Sequence, residues 1–236
     1  MSVYLIHGDK GGVGKSTLAA TLTEYLIARG KHVALVDTDL RNADLATLYD
    51  NVPAVETLVA DPRQHQGWLE VATALDRFKT NDVVISLPGN IGADVTAQGD
   101  YLSDALKELQ RSLVVFWLLN RTPFSIALLQ PALETFGPTA KAIVAVRNCY
   151  FGDPDRFERW NTSKTRTAFF AAGGIEIDLL ELHAACFDAT FGAHPARRFS
   201  DGDALNYGER LTLRRWLGKM FPAFDSIAER IGVGQR

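Results

Sequence analysis

The chain has 236 residues, 47% of them hydrophobic and 22% charged, and a formal net charge of −3 at neutral pH. That length suits a single α/β unit, and that balance excludes a disordered, collagen-like or disulfide-stapled chain. No stretch approaches the roughly 20 consecutive apolar residues that cross a bilayer, and the N-terminus enters a strand pattern rather than a basic, apolar leader, so a cytoplasmic protein is expected.

The first apolar run, Val3-Tyr4-Leu5-Ile6, reads as a strand. It leads into Lys10-Gly11-Gly12-Val13-Gly14-Lys15-Ser16-Thr17, after which Leu18, Leu22, Tyr25 and Leu26 recur at helical spacing. Strand, glycine loop and helix in that order form the setting a phosphate-binding loop requires. Gly11, Gly12 and Gly14 carry no Cβ, so the backbone can turn its N–H groups inward around a phosphate chain. Ser16 and Thr17 open the helix, where unpaired donors and the positive end of the dipole favour an anion. Lys15 is placed to reach the β- and γ-phosphates, and the Ser16 hydroxyl to bind Mg²⁺.

A second strand, residues 32–36, ends in Asp37-Thr38-Asp39, followed by Arg41-Asn42-Ala43-Asp44-Leu45. A third, residues 82–87, runs into Pro88-Gly89-Asn90-Ile91-Gly92. Two glycines in four residues leave that backbone free to respond to a γ-phosphate, as a mobile switch would. Residues 113–119 make a fourth strand. Residues 142–146 make a fifth, ending in Arg147-Asn148, and residues 174–179 a sixth near one edge. Helical patterns lie around residues 101–110, 124–136 and 203–219, with Pro131 expected to kink or break the second of these. Residues 151–174 are the least periodic and read as a loop or mobile region. Strand and helix signals alternating in this way predict a doubly wound α/β fold: a mostly parallel sheet with helices on both faces, all within one domain spanning residues 1–236 and including the helices at 203–232.

Two details of the glycine loop sharpen the reading. Where the common pattern has Gly five residues before the Gly-Lys pair, this chain has Asp9, and an additional lysine, Lys10, stands just ahead of Gly11. KGGVGKST thereby resembles the deviant phosphate loop of the ParA/MinD ATPases, and the resemblance covers residues 3 to about 148. It implies ATP with Mg²⁺ as cofactors, and a homodimer closing face to face around two nucleotides with Lys10 touching the partner's phosphates. By the same match Lys10, Lys15 and Asp39 form the catalytic set, with Asp39 positioning the attacking water. Gly11, Gly12, Val13, Gly14, Lys15, Ser16 and Thr17 hold the nucleotide, Asn148 reads the adenine edge, and Ser16 and Asp37 serve the metal and its water shell.

The third strand departs from the family. Relatives end this run in Asp one residue before the second switch; here Ser86 occupies that position. A serine hydroxyl can accept a hydrogen bond from a metal-bound water but brings no negative charge to Mg²⁺. Three outcomes stay open: Asp37 and Asp39 suffice, hydrolysis is slow, or the chain binds nucleotide without turning it over.

The remainder is less specific. Cys149 and Cys186 form no CxxC pair, which argues against zinc-bridged or iron–sulfur-carrying relatives and for two buried thiols. Residues 1–140 hold 11 Lys/Arg against 16 Asp/Glu, and residues 141–236 hold 14 against 12. The mildly basic tail, with Arg197, Arg198, Arg210, Arg214, Arg215 and Lys219 among its charges, suits a nonspecific DNA or anionic-lipid surface or, equally, an ordinary solvated face. Residues 211–221 mix bases with large apolar side chains. They read as a helix packing on the sheet, followed by Pro222 and a further helical pattern at 224–231, with an interfacial membrane helix as the lesser alternative. Size and resemblance together imply a short plasmid-type ParA-like switch for DNA segregation, positioning or conjugation, cytoplasmic or nucleoid-associated and served by a protein cargo or activator. The alternatives are a non-hydrolysing nucleotide-dependent scaffold and, last, a small-molecule kinase or synthetase of the same fold.

Overall fold

The computed structural model describes residues 1–8, 10–40, 43–50, 52–191 and 205–234. Asp9, Arg41, Asn42, Arg197, Arg198 and the start of the helix expected from 203 lie outside the described residues. Among the described residues the strands are β1 (Ser2–His7), β2 (Val33–Asp37), β3 (Val55–Val59), β4 (Asp82–Ser86), β5 (Ser112–Leu119), β6 (Ala140–Asn148) and β7 (Ile175–Leu179). They form one sheet in the order β3-β2-β4-β1-β5-β6-β7, and every pairing is parallel. The helices are α1 (Lys15–Ala28), α2 (Asp44–Leu48), α3 (His65–Arg77), α4 (Gly92–Glu108), α5 (Pro123–Ala127), α6 (Leu129–Phe136), α7 (Glu158–Asn161), α8 (Lys164–Ala171), α9 (Ala184–Phe191) and α10 (Tyr207–Asp225).

The period-2 geometry of the strands divides their side chains between two cores. Tyr4, Ile6, Val84, Phe116 and Val144 face α1, α2, α9 and α10. Val3, Leu5, Val83, Ile85, Val115 and Trp117 face α3, α4, α6 and α8. With both faces covered, the central strands must be apolar throughout, and so they read as unbroken hydrophobic runs. β1 lies between β4 and β5, where the chain reverses the direction in which it adds strands, and a ligand crevice forms outside the carboxyl ends of the strands there.

Helix α10 shows how the tail resolves. An Asn206/Glu209 capping box starts it, and Leu213, Trp216, Leu217, Met220 and Phe224 face inward, so its apolar stripe covers the sheet. Its far end docks on α1: Tyr25 Oη donates to Asp225 at 2.9 Å, and Arg29 pairs with the same carboxylate. The further helical pattern expected over 224–231 is corrected: α10 runs through Pro222 to Asp225, and turns follow it. Proline there removes a single helical hydrogen bond, while the ring contacts of Tyr25 with Phe221 and Phe224 hold the turn in place.

Two further expectations are corrected. The segment 151–174 is not a loop: it contains a short 3-10 turn (Pro154–Arg156), α7 and α8, and it buries Phe157, Trp160 and Phe169 in the second core. Helices of four and eight residues are too short to show a period, and the one clear signal, Ser163 accepting from the Arg166 N–H at 2.9 Å, is a helix cap. The helix expected over 124–136 is two helices, parting at Leu128. The break lies ahead of Pro131 because proline offers no N–H to the carbonyl of Ala127, four residues earlier.

Candidate functional site

The sheet brings the expected residues to one end. Between β1 and α1 the loop rises with Gly12 at φ +70 and Gly14 at φ +98, conformations that favour glycine. The turn closes as α1 begins at Lys15, and no side chain caps its first turn, so the leading N–H groups point out of the helix end as an anion site requires. Lys15 is buried, and its ammonium donates to the carbonyls of Gly8 (3.2 Å) and Lys10 (2.9 Å). The side chain is therefore folded back across the loop. Lys10 itself is exposed, Ser16 is half-buried and Thr17 is buried.

Asn148, at the end of β6, is tied into this loop. Its Nδ2 donates to the Val13 carbonyl at 2.8 Å, and its Oδ1 accepts from the Tyr150 N–H at 3.0 Å. The fit is close enough that a methyl on Gly14 would come within 2.4 Å of Nδ2. The residue expected to read a base thus also holds the loop, using one hydrogen and one lone pair of its amide.

Asp37 closes β2. Its Oδ1 accepts from the Asp39 N–H (3.2 Å) and its Oδ2 from the N–H groups of Leu45 (3.0 Å) and Ala46 (3.2 Å), so it caps α2 from outside the helix. Burial raises its pKa to about 6 despite those three donors. Asp39 is half-buried at the rim. Ser86 is the register partner of Asp37 across β2 and β4 and of Ile6 across β4 and β1. Its carbonyl accepts from Thr38 Oγ1 at 2.5 Å, which ties the segment after β2 to the end of β4. Beyond Ser86 the chain crosses the phosphate loop at close range: a methyl on Gly89 would lie 2.8 Å from Gly11 N. Asn90 has φ 57, a left-handed position that asparagine tolerates, and Ile91 is fully buried where α4 starts.

Among the described residues no three His, Cys, Asp or Glu side chains gather as a metal cluster. A hydroxyl at Ser16 and one carboxylate at Asp37 fit Mg²⁺ only in its usual nucleotide-bound form, where phosphate oxygens and water supply most ligands.

Two neighbours of the site escaped the sequence reading. Arg63 follows β3, a strand with mostly half-exposed residues that periodicity did not reveal; it pairs with Asp61 (3.6 Å) and donates to the Gly89 carbonyl at 3.4 Å. His7, one residue before Gly8, is buried edge-on to Trp117 with ring centroids 4.7 Å apart. A lone histidine at the end of an apolar run carries no signal in sequence.

A model of the CobQ/CobB/MinD/ParA nucleotide binding domain matches residues 4–143. Protein MobD of Acidithiobacillus ferrooxidans is 34% identical over 229 residues, covering 96% of this chain and 97% of that one. The septum site-determining protein MinD of Bacillus subtilis is 33% identical over 117 residues, 45% of this chain and 40% of its own. Among solved structures, the cell division ATPase MinD of Pyrococcus furiosus superposes with a TM-score of 0.55 at 17% identity, covering 93% of this chain and 99% of that one. MinD of Pyrococcus horikoshii, complexed with Mg-ADP, gives 0.54 at 16% identity over 96% and 98%. At such identities these two likenesses show the shared fold.

Proposed function

The chain belongs to the CobQ/CobB/MinD/ParA nucleotide-binding family, and from that premise we propose that it is an ATP-dependent dimerising switch acting in plasmid or other DNA segregation, positioning or conjugation. The observation that carries the reading is the cradle at residues 11–17: two glycines at positive φ, an uncapped helix end, and Lys15 held across the loop by the Gly8 and Lys10 carbonyls. Lys15, released from those carbonyls, and the leading N–H groups of α1 would hold the oxygens of a triphosphate. Bound Mg²⁺ supplies charge neutralisation at the β- and γ-phosphates. Ser16 and Asp37 hold that side of the site, and Asp39 orients the attacking water from the rim. Lys10, exposed on the loop, reaches the phosphates of a second copy and offsets the repulsion between two nucleotides brought face to face.

The full-length relationship to MobD, against partial matches to the septum-site proteins, supports a short, plasmid-type member. The exposed bases of α10, Arg214, Arg215 and Lys219, support nonspecific DNA as the surface on which the switch cycles. A separate protein serves as cargo or activator, and the setting is cytoplasmic; no helix among the described residues is long and apolar enough to cross a membrane.

Ser86 favours one variant of this reading, a scaffold that binds nucleotide and turns it over slowly or not at all, because the strand end beside Asp37 brings no second carboxylate to the metal. The deciding experiment is sedimentation with ADP and with a non-hydrolysable ATP analogue, with and without nonspecific DNA. The expected result is monomers with ADP and dimers with the analogue, lost in Lys10→Ala, and no nucleotide binding in Lys15→Ala. Retained ATP affinity in Lys15→Ala would overturn the site, and analogue-independent assembly would overturn the switch.

A further inference from the structure

The turn that carries Arg63 is built more firmly than a solvated side chain requires. It leaves the sheet at the end that holds the nucleotide loop: β3 stops at Val59, and the Ala60 N–H donates to the carbonyl of Asp37, the last residue of β2, at 3.1 Å. The indole of Trp68, itself buried, donates to the Pro62 carbonyl at 2.7 Å. The Gln64 N–H returns to the Asp61 carbonyl at 3.1 Å, and the Arg63 N–H donates to Asp61 Oδ1 at 3.2 Å. Gly67 packs so tightly under the turn that a methyl there would come within 1.9 Å of the Asp61 carbonyl oxygen. Contacts on both sides of Arg63 therefore fix the point from which its side chain starts.

The side chain itself is loosely held. Its guanidinium touches Asp61, its one carboxylate partner among the described residues, at 3.6 Å and the Gly89 carbonyl at 3.4 Å. Both distances exceed the roughly 2.7–2.9 Å of a charge-assisted hydrogen bond, so most of the N–H donors of the fork remain available to a better acceptor. The direction is toward the phosphates. Gly89 belongs to the segment that crosses the nucleotide loop, where a methyl on it would lie 2.8 Å from Gly11 N and 3.2 Å from the Lys10 carbonyl carbon. Through that carbonyl the guanidinium stands one residue away from the cradle. A planar cation that stays charged at every working pH and matches two oxygens of one phosphate is thereby presented at the mouth of the site.

We propose that Arg63 is a same-chain cation for the terminal phosphate of a bound triphosphate: its guanidinium leaves the Gly89 carbonyl and takes γ-phosphate oxygens, so that triphosphate is favoured over diphosphate. The proposal rests on the nucleotide-site reading above and deepens it. Lys15 and the leading N–H groups of α1 serve a diphosphate and a triphosphate alike, whereas Arg63 gives the γ-phosphate a contact of its own. With a diphosphate the side chain keeps its hold on Gly89 and the second switch stays against the loop; with a triphosphate that hold is released.

The test is isothermal titration of ADP and of a non-hydrolysable ATP analogue, each with Mg²⁺, into wild type, Arg63→Ala and Arg63→Lys. A parallel set carries Lys10→Ala, so that a contact within one chain is read apart from dimer formation. In both sets Arg63→Ala should weaken the analogue by about tenfold or more and ADP by less than about twofold. Arg63→Lys should fall between, because it restores the charge without the fork. Asp61→Asn keeps Oδ1 for the Arg63 N–H and removes the competing charge, so it should strengthen the analogue by about two- to fivefold, the weight of an exposed ion pair. Equal losses for both nucleotides would leave Arg63 as a support for the second switch, and unchanged analogue affinity would leave it a solvated side chain; either result overturns the proposal. An effect seen only with Lys10 intact would place the contact across the dimer and overturn it as well. If wild type binds neither nucleotide, the nucleotide-site reading itself fails; if wild type binds both and Arg63→Ala binds as wild type does, that reading stands and this inference alone is lost.

Discussion

Asp37 and Ser86 stand directly opposite one another in the parallel register of β2 and β4, at the ends of these two strands, with β4 lying between β2 and β1. The carboxylate is already committed to the backbone N–H groups of Asp39, Leu45 and Ala46, and its neighbour offers only a hydroxyl. Ser86→Asp places a second carboxylate at this point. With Mg²⁺ and ATP the variant should hydrolyse faster than wild type by about tenfold or more, equivalent to ~1.4 kcal/mol of transition-state stabilisation. Without metal it should melt at a lower temperature, because two buried carboxylates repel. Steady-state phosphate release and thermal melts measure both. Turnover unchanged at saturating Mg²⁺ would mean that Asp37 and Asp39 carry the metal side alone.

Gly89 and Gly11 support a second prediction. Gly89→Ala would set a methyl 2.8 Å from Gly11 N, against backbone that cannot rotate away. The phosphate loop must shift, and nucleotide affinity should fall at least tenfold while far-UV circular dichroism stays unchanged. Gly218→Ala in α10 is the contrast. It meets nothing within 4 Å and should stabilise the protein by about 0.5–1 kcal/mol through helix propensity. Isothermal titration and urea melts of the two variants check the pair, and nucleotide affinity retained in Gly89→Ala would show that the contact does not bear on the loop.

What could be read in the sequence follows from how each feature is encoded. The central strands are buried on both faces, so β1, β4 and β5 appeared as continuous apolar runs. The phosphate loop is local in sequence, so Lys10 to Thr17 could be read without any tertiary information. β3 was missed because it is an edge strand of five residues, VETLV, in which only Val55 is buried, so no alternating buried face marks it in the sequence. Residues 151–174 were misread because their order comes from three aromatic side chains, Phe157, Trp160 and Phe169, fitting a core built elsewhere. Contacts between distant segments were not legible either. The tie of Asn148 to Val13 spans 135 residues, and the pairing of Arg63 with Gly89 depends on the missed strand.

That Asn148 tie has its own consequence. Asn148→Ala removes the donor to the Val13 carbonyl and the acceptor for the Tyr150 N–H, leaving buried groups unpaired at a cost of about 1–3 kcal/mol. The amide still has one hydrogen and one lone pair to offer an adenine edge. The variant should therefore lose stability and also weaken ATP more than GTP. Competition binding with the two nucleotides reads the second effect; a parallel loss of both would leave Asn148 with the loop-holding role alone.

The acid response separates two buried groups that pull in opposite directions. His7 has its pKa pushed down to about 3, first by burial and then by Lys15, from an ordinary 6.5. In that range the unfolded chain binds a proton that the folded one refuses, so stability falls as pH drops below about 6.5, by about 2 kcal/mol at pH 5. Asp37 is the reverse. Its pKa is raised to about 6 from an ordinary 3.8, so the folded state keeps a proton that the unfolded state has released, and stability falls as pH rises between about 4 and 6. In wild type the two slopes largely cancel over that window. His7→Gln should leave only the aspartate, and urea melts from pH 6 to pH 4 should show the variant gaining stability as acid is added, relative to its own value at pH 7. Asp37→Asn should show the opposite, an acid loss steeper than wild type. Slopes rather than absolute stabilities are compared, since each substitution also carries a cost independent of pH. Parallel slopes in all three proteins would mean that neither group titrates away from its ordinary value in the folded state.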